Sequence, residues 1–403
     1  MVQLFRSRIL SRCRMPDPFR RFDPARAKTV ARWVWLNLLV TLALLFSVNT
    51  ITGAVLAWVE RPGGLAGDNR WKLPVYEGNR EYARVVFEEF RSTTVSYRPF
   101  VGWRRDPFEG VTLRIDTQGR RRTVDPDPSR PKVGSVYFFG GSAMWGTGSD
   151  DAHTIPSLFA RLEPRYAVEN YAETAWNSRQ GLDQLVTLYA LGHRPDVVVF
   201  YDGANDVYHQ CTRLTDVVPG HARVNYLREA AKHGRSVGLL RALRALFLEH
   251  LIALSAEIQK LEFFRKARGE CSTFDCPCDE KKTDLIAQNL LANWQMAKIL
   301  VEAHGGRFLP VLQPVAFEGR PYTKHLGSRL EKPFGIRPTF RLVYEKIRER
   351  LASHPIRSSV LDLTGTFDGD RPFYIDFCHV SPEGNAIVAR KIFEHLHASA
   401  PKK

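Results

Sequence analysis

Five short apolar runs alternate with longer amphipathic stretches over the second half of the chain. The runs are bounded by turn-forming residues, which is typical of strands buried on both faces; they cover 136–139, 167–170, 197–201, 308–312 and 360–363. The amphipathic stretches predict helices, the first of them capped by Thr154 with Pro156 in its first turn; they cover 155–162, 180–191, 284–304, 338–352 and 382–396. This alternation predicts an α/β fold with a mostly parallel sheet and helices on both faces.

Three further patterns lie outside this alternation. Residues 79–91 predict a short helix, and residues 110–124 alternate apolar and polar positions around a turn near Gly119, which predicts an accessory hairpin. Between the third and fourth strands, about 212–282 form a helical insertion that contains an amphipathic run from Leu239 to Phe263. We expect the hairpin and the insertion to take part in substrate selection, because loops above a sheet commonly set specificity.

A long apolar segment precedes all of these elements. Residues 33–59 contain no charged side chain, and tryptophans lie near both ends. Twenty-seven residues are enough to cross a bilayer of roughly 30 Å, and tryptophans suit its interfaces. The segment therefore predicts a transmembrane helix that acts as a signal anchor. A cleaved secretory signal and a buried helix of a soluble protein are the alternatives.

The charge of the chain is concentrated ahead of this segment. The formal net charge is +15, and residues 1–32 hold nine basic against two acidic side chains. The positive-inside rule places this tail in the cytoplasm and the remainder of the chain on the other, periplasmic side. Because no basic patch interleaved with aromatic residues follows, the composition argues against a nucleic-acid partner. The oligomeric state stays open.

Cysteine usage fits this placement. Of six cysteines, only Cys13 falls in the tail, and the other five would face a compartment in which disulfides persist. An odd number implies that one of them stays free. The Cys271, Cys276 and Cys278 cluster lacks the spacing of the common zinc sites, so disulfides are the preferred interpretation, with the pairing open.

Candidate chemistry lies where the strands end. Ser142 follows the first strand after two glycines, Asn205 follows the third strand in Gly203-Ala204-Asn205-Asp206, and Asp376 and His379 stand before the last helix. A serine needs a base near neutral pH, and an aspartate three residues from a histidine can orient that base. An amide such as that of Asn205 can donate to the oxygen that becomes negative when an ester carbonyl is attacked.

These elements resemble the SGNH hydrolases, also called GDSL esterases and lipases, over about residues 133–398. The resemblance implies a flavodoxin-like three-layer fold with Ser142 as the nucleophile, His379 as the base and Asp376 as its orienting partner. It also implies an oxyanion hole made by the backbone N–H of Ser142, the side chain of Asn205 and the backbone N–H of Ala175. No cofactor and no metal are implied.

Two positions depart from the family pattern. Gly141 occupies the position of the aspartate that precedes the family's serine, and Ala175 stands where the family has a glycine. Ala175 can still donate its N–H if its backbone angles are ordinary. The predicted organisation is then a basic cytoplasmic tail (1–32), a transmembrane helix (33–59), a tether and accessory hairpin region (60–132) and a hydrolase domain (133–398) that contains the insertion.

Other interpretations of the same residues remain open. Ser142 in a glycine-rich loop could hold a phosphate, although no P-loop or dinucleotide motif is present. Asp202, Asp206 and His209 could bind a metal, and Asp376 with His379 could form an ordinary helix-capping turn. Cys378 is more typical of a disulfide or a packing residue than of a second nucleophile.

The sequence thus predicts a membrane-anchored serine esterase acting on acyl esters, whose partners are a small acyl ester or an acylated cell-envelope glycan. An O-acyltransferase that uses the same residues is the first alternative, since only the acceptor distinguishes the two reactions. A glycan-binding scaffold that has lost turnover is the second alternative.

Overall fold

A computed structural model of the chain describes residues 24–59, 68–212, 238–259, 274–331 and 333–398. The described residues form two compact units, one within 1–60 and 236–257 and the other within 61–235 and 258–403. The second contains the candidate residues Ser142, Asn205, Asp376 and His379 and is called the catalytic unit. The prediction places the whole insertion in the hydrolase domain and separates residues 60–132 from it. In the structure, residues 238–257 of the insertion group with the apolar helix, and residues 68–132 group with the catalytic unit.

The first unit is built on the predicted apolar helix. Helix α1 covers Pro24–Val59, and its stretch Lys28–Trp58 is long and apolar enough to cross a membrane, a property that signal sequences share. Buried Asn49 bonds both sides of a break between two insertion helices. Its Nδ2 donates to the carbonyls of Ala245 and Leu246 at 3.3 and 3.1 Å, and its Oδ1 accepts from His250 N at 2.9 Å. One polar side chain in the apolar run therefore satisfies backbone groups that the break leaves unpaired.

The predicted strands and helices of the catalytic unit are present in one parallel sheet. Its strands are β5 (Gly134–Gly140), β6 (Tyr166–Asn170), β7 (Val197–Asp202), β8 (Arg307–Leu312) and β9 (Leu361–Asp362), in the spatial order β6-β5-β7-β8-β9. All four pairings are parallel. Counted from the first strand of the sheet, the order is 2-1-3-4-5, which is the flavodoxin-like arrangement. The predicted fold class is confirmed.

The helices of the described chain agree closely with the predicted ones. The first unit contains α1 with the insertion helices α7 and α8. The bounds are α1 Pro24–Val59, α2 Arg80–Ser92, α3 Ser142–Trp145, α4 Ile155–Leu162, α5 Ser178–Ala190, α6 Ala204–Gln210, α7 Gly238–Phe247, α8 Glu249–Gln259, α9 Glu280–Ala303, α10 Ile336–Ala352 and α11 Pro382–Ala398. The predicted cap is confirmed, since Thr154 Oγ1 accepts from Ser157 N at 3.3 Å at the start of α4.

Alternate side chains of β5 pack against helices on opposite faces of the sheet. Phe138 contacts Phe159 of α4, which in turn contacts Phe393 of α11. Phe139 points to the other face, where it contacts Phe200 beside Gly181 of α5. Period-two alternation in the strand therefore gives the predicted three layers, with the apolar core on both sides of the sheet.

The region before the sheet departs from the prediction. The predicted hairpin at 110–124 is present in a short form, with its turn, one bridge between Ile115 and Arg121, and backbone bonds from Asp116 N to Arg120 O and from Arg122 N to Arg114 O, both at 3.0 Å. On its other edge, β4 (Arg114–Ile115) pairs with β3 (Phe108–Glu109), which was not predicted. A hairpin that the sequence pattern did not indicate joins β1 (Val95–Arg98) to β2 (Gly102–Arg105). Each strand has only four residues and β2 ends in two arginines, so the alternation of apolar and polar positions is too short to predict this pair.

The cysteines are partly settled by the structure. Cys211, which follows α6, forms a disulfide with Cys276, and the predicted free cysteine is Cys378, which is buried. This bridge ties together the two ends of the insertion in the catalytic unit. Cys13 and Cys271 lie outside the described residues.

Candidate active site

Ser142 lies at the carboxyl end of β5, at the first position of the short helix α3. Gly140 has φ of +149°, and a Cβ at this position would lie 2.5 Å from the carbonyl oxygen of Tyr201 in the neighbouring strand. Only glycine permits this approach, so the chain turns sharply as it leaves the sheet. The turn leaves the Ser142 side chain partly exposed at the sheet edge.

His379 and Asp376 complete a hydrogen-bonded row with the serine. His379 Nε2 lies 2.7 Å from Ser142 Oγ, although the two residues are 237 positions apart. On the other side of the ring, Nδ1 lies 2.7 and 2.8 Å from the two carboxylate oxygens of Asp376. The carboxylate also accepts from the backbone N–H groups of Cys378 and His379 at 3.0 and 2.9 Å. A base in contact with a hydroxyl and oriented by a carboxylate is the arrangement that activates a serine.

A basic side chain that the sequence analysis did not single out also contacts the carboxylate. Arg70 Nη1 donates to Asp376 Oδ2 at 2.7 Å. Burial by itself raises the pKa of Asp376, but the adjacent His379 and Arg70 lower it by more than burial raises it. The pKa of Asp376 therefore lies well below the ordinary aspartate value. Asp376 is therefore ionised over the whole range in which histidine titrates.

Asn205 is held against the turn that carries the serine. Its Nδ2 donates to the carbonyl oxygen of Trp176 at 2.7 Å, which leaves its second amide hydrogen free to point elsewhere. A Cβ on Gly141 would lie 2.2 Å from the same Nδ2. In this structure, therefore, Asn205 occupies space that a side chain at position 141 would need.

Ala175 lies in an uncommon backbone conformation. Its φ is +63°, in the left-handed region that favours glycine, so the condition of ordinary backbone angles does not hold. Alanine occupies here the conformation that the glycine of the family pattern would adopt without strain. Among the described residues, neither Ala175 N–H nor Ser142 N–H has a hydrogen-bond partner. Both donors remain available to a ligand.

A buried acidic side chain holds the loop that contains Ala175. Glu173 accepts from Thr174 N at 2.6 Å and from Arg105 N at 2.8 Å, and its own N–H donates to the carbonyl oxygen of Gly140 at 3.1 Å. Trp176 Nε1 donates to Trp103 O at 2.9 Å. Hairpin β1–β2 thus supports the loop after β6, a role invisible to strand patterning. The only sequence signal was a charged residue among small apolar neighbours in Tyr171–Trp176.

Two buried carboxylates, those of Asp202 and Asp206, lie on either side of Asn205 in the chain. Asp206 accepts from Ser178 Oγ at 2.6 Å and from the N–H groups of Ser178 and Gly203, and so braces the turn before α6. Asp202 accepts from Trp294 Nε1 at 2.9 Å. Burial raises the pKa of Asp202 well above its ordinary value, and the neighbouring Asp206 raises it further. Burial raises the pKa of Asp206 too, but the hydrogen bonds from Ser178 and Gly203 oppose that rise, so Asp202 is the member of the pair that binds a proton more tightly.

The arrangement does not favour the metal interpretation of these residues. Asp202 and Asp206 are engaged by the donors just described. Asp376, Cys378 and His379 offer ligand atoms within 4.8 Å of one another, but the carboxylate already accepts from four N–H donors. Burial raises the pKa of the Cys378 thiol well above its usual range, so it is neither a thiolate ligand nor a second nucleophile.

Comparisons with known proteins give low similarities. No family model and no curated protein matches the sequence. Solved structures that match include an acetyl xylan esterase, with 15% identity, a TM-score of 0.34 and coverage of 65% of this chain and 99% of that chain. A GDSL-like lipase from Bacteroides thetaiotaomicron has 12% identity and a TM-score of 0.36 over 66% of this chain and 89% of its own. A lipolytic G-D-S-L protein from Veillonella parvula has 12% identity and a TM-score of 0.35 over 64% of this chain and 96% of its own.

These scores carry no argument about activity, and the fold rests on the sheet itself. The strand order and the three layers are those that the resemblance implies. The structure also brings Ser142, His379 and Asp376 into one hydrogen-bonded row and places Asn205 beside the serine turn. In its fold, the chain is similar to the SGNH hydrolases over the catalytic unit.

Proposed function

We propose that the catalytic unit is a serine esterase of the SGNH type, acting on acyl esters. The observation that carries the proposal is the contact of 2.7 Å between Ser142 Oγ and His379 Nε2, with Asp376 bonded to the opposite ring nitrogen. In a non-catalytic scaffold nothing requires a partly exposed serine to contact a carboxylate-oriented histidine. The same contact also argues against a phosphate-binding loop, in which the hydroxyl would face a ligand or a metal.

The geometry supports a two-step mechanism. His379 Nε2 takes the proton as Ser142 Oγ attacks the carbonyl carbon, and the negative oxygen is stabilised by the N–H groups of Ser142 and Ala175 and the amide of Asn205. When the tetrahedral intermediate collapses, His379 gives that proton to the departing alcohol and leaves an acyl group on Ser142. Water, deprotonated by the same nitrogen, then attacks the acyl carbon; as the bond to Ser142 Oγ breaks, His379 returns that proton to Oγ and the acid is released. Asp376 stays ionised throughout and stabilises the imidazolium in both steps.

We also propose that α1 anchors this unit to the cytoplasmic membrane, with the catalytic unit on the periplasmic side. The apolar stretch Lys28–Trp58 and the basic tail ahead of it support this placement. An enzyme placed there would meet esters of the cell envelope, and O-acetyl groups of glycans are the substrates to test first. Extraction of the membrane fraction with alkaline carbonate tests the anchor, because a spanning protein stays with the lipid and a processed, soluble one is released.

Hydrolysis of p-nitrophenyl acetate by the full chain in detergent tests the proposed reaction. We expect turnover that disappears in Ser142→Ala and persists in the matched control Ser92→Ala, whose exposed hydroxyl only bonds its own helix. Labelling with a fluorophosphonate probe provides a second readout that does not depend on the acyl acceptor. A folded chain that neither hydrolyses the ester nor accepts the probe would overturn the proposed function.

A further inference from the structure

Arg70 reaches the site from the segment that the sequence analysis called a tether. It begins a single turn of 3₁₀ helix that covers Arg70–Lys72. The side chain divides its donors between two acids. Nε and Nη2 bond to Asp68, at 3.0 and 2.7 Å, while Nη1 donates to Asp376 at 2.7 Å, across 306 positions of sequence. The guanidinium thus links Asp68 to the carboxylate that orients His379.

Packing holds this segment in the catalytic unit. The Arg70 guanidinium lies over the ring of Phe87, 4.9 Å from its centroid, and the ring of Tyr76 meets Phe87 edge-on. The Tyr76 hydroxyl donates to Gly148 O at 2.7 Å, in the loop that follows Ser142. Both aromatic side chains are buried. Arg70 is therefore delivered to Asp376 on a packed element, so little entropy is lost when it forms the ion pair.

Arg70 is placed to affect both the orientation of the Asp376 carboxylate and the strength of His379 as a base. Asp376 Oδ2 accepts from both His379 Nδ1 and Arg70 Nη1, so removing the arginine leaves the carboxylate rotamer with one support fewer on that side. The positive charge of Arg70 also partly offsets the charge of Asp376 that stabilises the imidazolium. Within the part of the chain that the structure describes, the other charged or titratable groups near the carboxylate are Asp68, which faces Arg70, with the Cys378 thiol and the phenols of Tyr76 and Tyr208. Asp68 in turn moderates the field of Arg70.

We propose that Arg70 is a positioning residue of the esterase site, which fixes the Asp376 carboxylate and tunes the strength of His379 as a base, with Asp68 holding Arg70 in place. This inference rests on the proposed function for its kinetic readout. It makes the segment Asp68–Lys72 part of the active site, because the row of contacts then runs from Asp68 through Arg70, Asp376 and His379 to Ser142.

The test compares the full chain in detergent with Arg70→Gln, Arg70→Lys and Asp68→Asn. The control is Arg84→Gln, which breaks only exposed ion pairs on α2. We expect Arg70→Gln to lower kcat/KM for p-nitrophenyl acetate by between about 10-fold and 100-fold, mostly in kcat, since misplacing a catalytic group by roughly 1 Å costs up to about 100-fold. Arg70→Lys keeps the charge and recovers part of the loss, Asp68→Asn has a smaller effect, and Arg84→Gln matches the wild type.

The pH profile separates positioning from a merely structural role. Without the cation, Asp376 stabilises the protonated imidazole more strongly, so in Arg70→Gln the acidic limb of kcat/KM moves to higher pH, by about 0.5 to 1 pH unit. Arg70→Lys stays close to the wild-type limb. A kcat/KM within twofold of the wild type, or a loss of activity with the acidic limb unmoved, would overturn the assignment.

A spectroscopic readout decides the case in which the wild type shows no turnover. The proton between His379 Nδ1 and Asp376 gives a low-field NMR signal, identified by its absence in His379→Ala. We expect this signal to shift or broaden in Arg70→Gln and to be unchanged in Arg84→Gln. An unchanged signal in a folded Arg70→Gln variant refutes the positioning role, whereas the Ser142→Ala and probe-labelling results judge the proposed function separately.

Discussion

The left-handed backbone at Ala175 makes a quantitative prediction for the oxyanion loop. An alanine at φ of +63° is strained by contact between its Cβ and the backbone, at a cost of roughly 1–2 kcal/mol. The Ala175→Gly variant removes that contact, but a glycine also makes the unfolded chain more flexible, which costs about 0.4–1 kcal/mol. We therefore expect a net stabilisation of about 0 to 1.5 kcal/mol.

The same reasoning predicts the opposite outcome for a β-branched residue. Ala175→Val adds a second substituent at Cβ in a conformation that valine avoids, so we expect destabilisation by roughly 1–3 kcal/mol relative to the wild type. The neighbouring Glu173 anchors the loop on both sides and limits relaxation. Because the loop is held and cannot shift as a whole, we expect the strain in Ala175→Val to be relieved locally, by a turn of the peptide unit at position 175. That turn moves the N–H away from the oxyanion.

Paired measurements on the two variants test this reasoning. Urea unfolding gives the change in stability, and kcat for p-nitrophenyl acetate gives the change in the donor. Ala175→Gly retains the N–H and should stay within about threefold of the wild-type kcat, whereas Ala175→Val should lose about 10² to 10³ in kcat if the donor is lost. A glycine variant that is clearly less stable than the wild type, or a valine variant with wild-type kcat, would refute the argument.

Two further predictions concern the loop after β7. Asn205→Ala should lower kcat by about 10² to 10³ with little change in KM, because it removes a donor used when the oxyanion forms; an effect confined to KM would contradict that role. Asp202 has a raised pKa, so the folded state binds its proton more tightly than the unfolded state, and its contribution to stability declines as pH rises above the ordinary aspartate value of about 3.9. Asp202→Asn mimics the neutral form and can still accept from Trp294. In urea unfolding, we expect the free energy of unfolding of Asp202→Asn to rise relative to that of the wild type between pH 5 and pH 8. A difference that stays constant across that range would contradict the buried-proton explanation.

Several features were predictable because they depend on residues that lie only a few positions apart in the chain. The strands of the sheet are short apolar runs, so their positions follow from composition and flanking turns, to within about two residues in most cases. Thr154 caps its helix as predicted, since capping depends on a residue and the N–H three positions later. The candidate residues Ser142, Asn205 and Asp376–His379 were recognisable because each follows a strand or precedes a helix that the pattern had already placed.

Other features depend on contacts that no local pattern encodes. The hairpin β1–β2 is made of strands of only four residues, and its contact with the loop after β6, where Arg105 N donates to Glu173, joins residues 68 positions apart. The division of the insertion, whose helices α7 and α8 group with α1, depends on Asn49 meeting a helix break about 200 positions away.

The sequence alone thus determined the α/β fold and the residue types available for serine chemistry, because periodicity and short motifs act over a few positions. Only the tertiary structure decided how those residues are tuned: Ala175 in a left-handed conformation, Asn205 in space that a side chain at position 141 would need, and Arg70 bonded to Asp376. The physical reason is that these effects arise from distances of a few ångströms between residues far apart in the chain. Such distances are set by how helices and loops pack around the sheet, and hydrophobic patterning specifies that a face is buried without specifying which polar atoms meet at its edge.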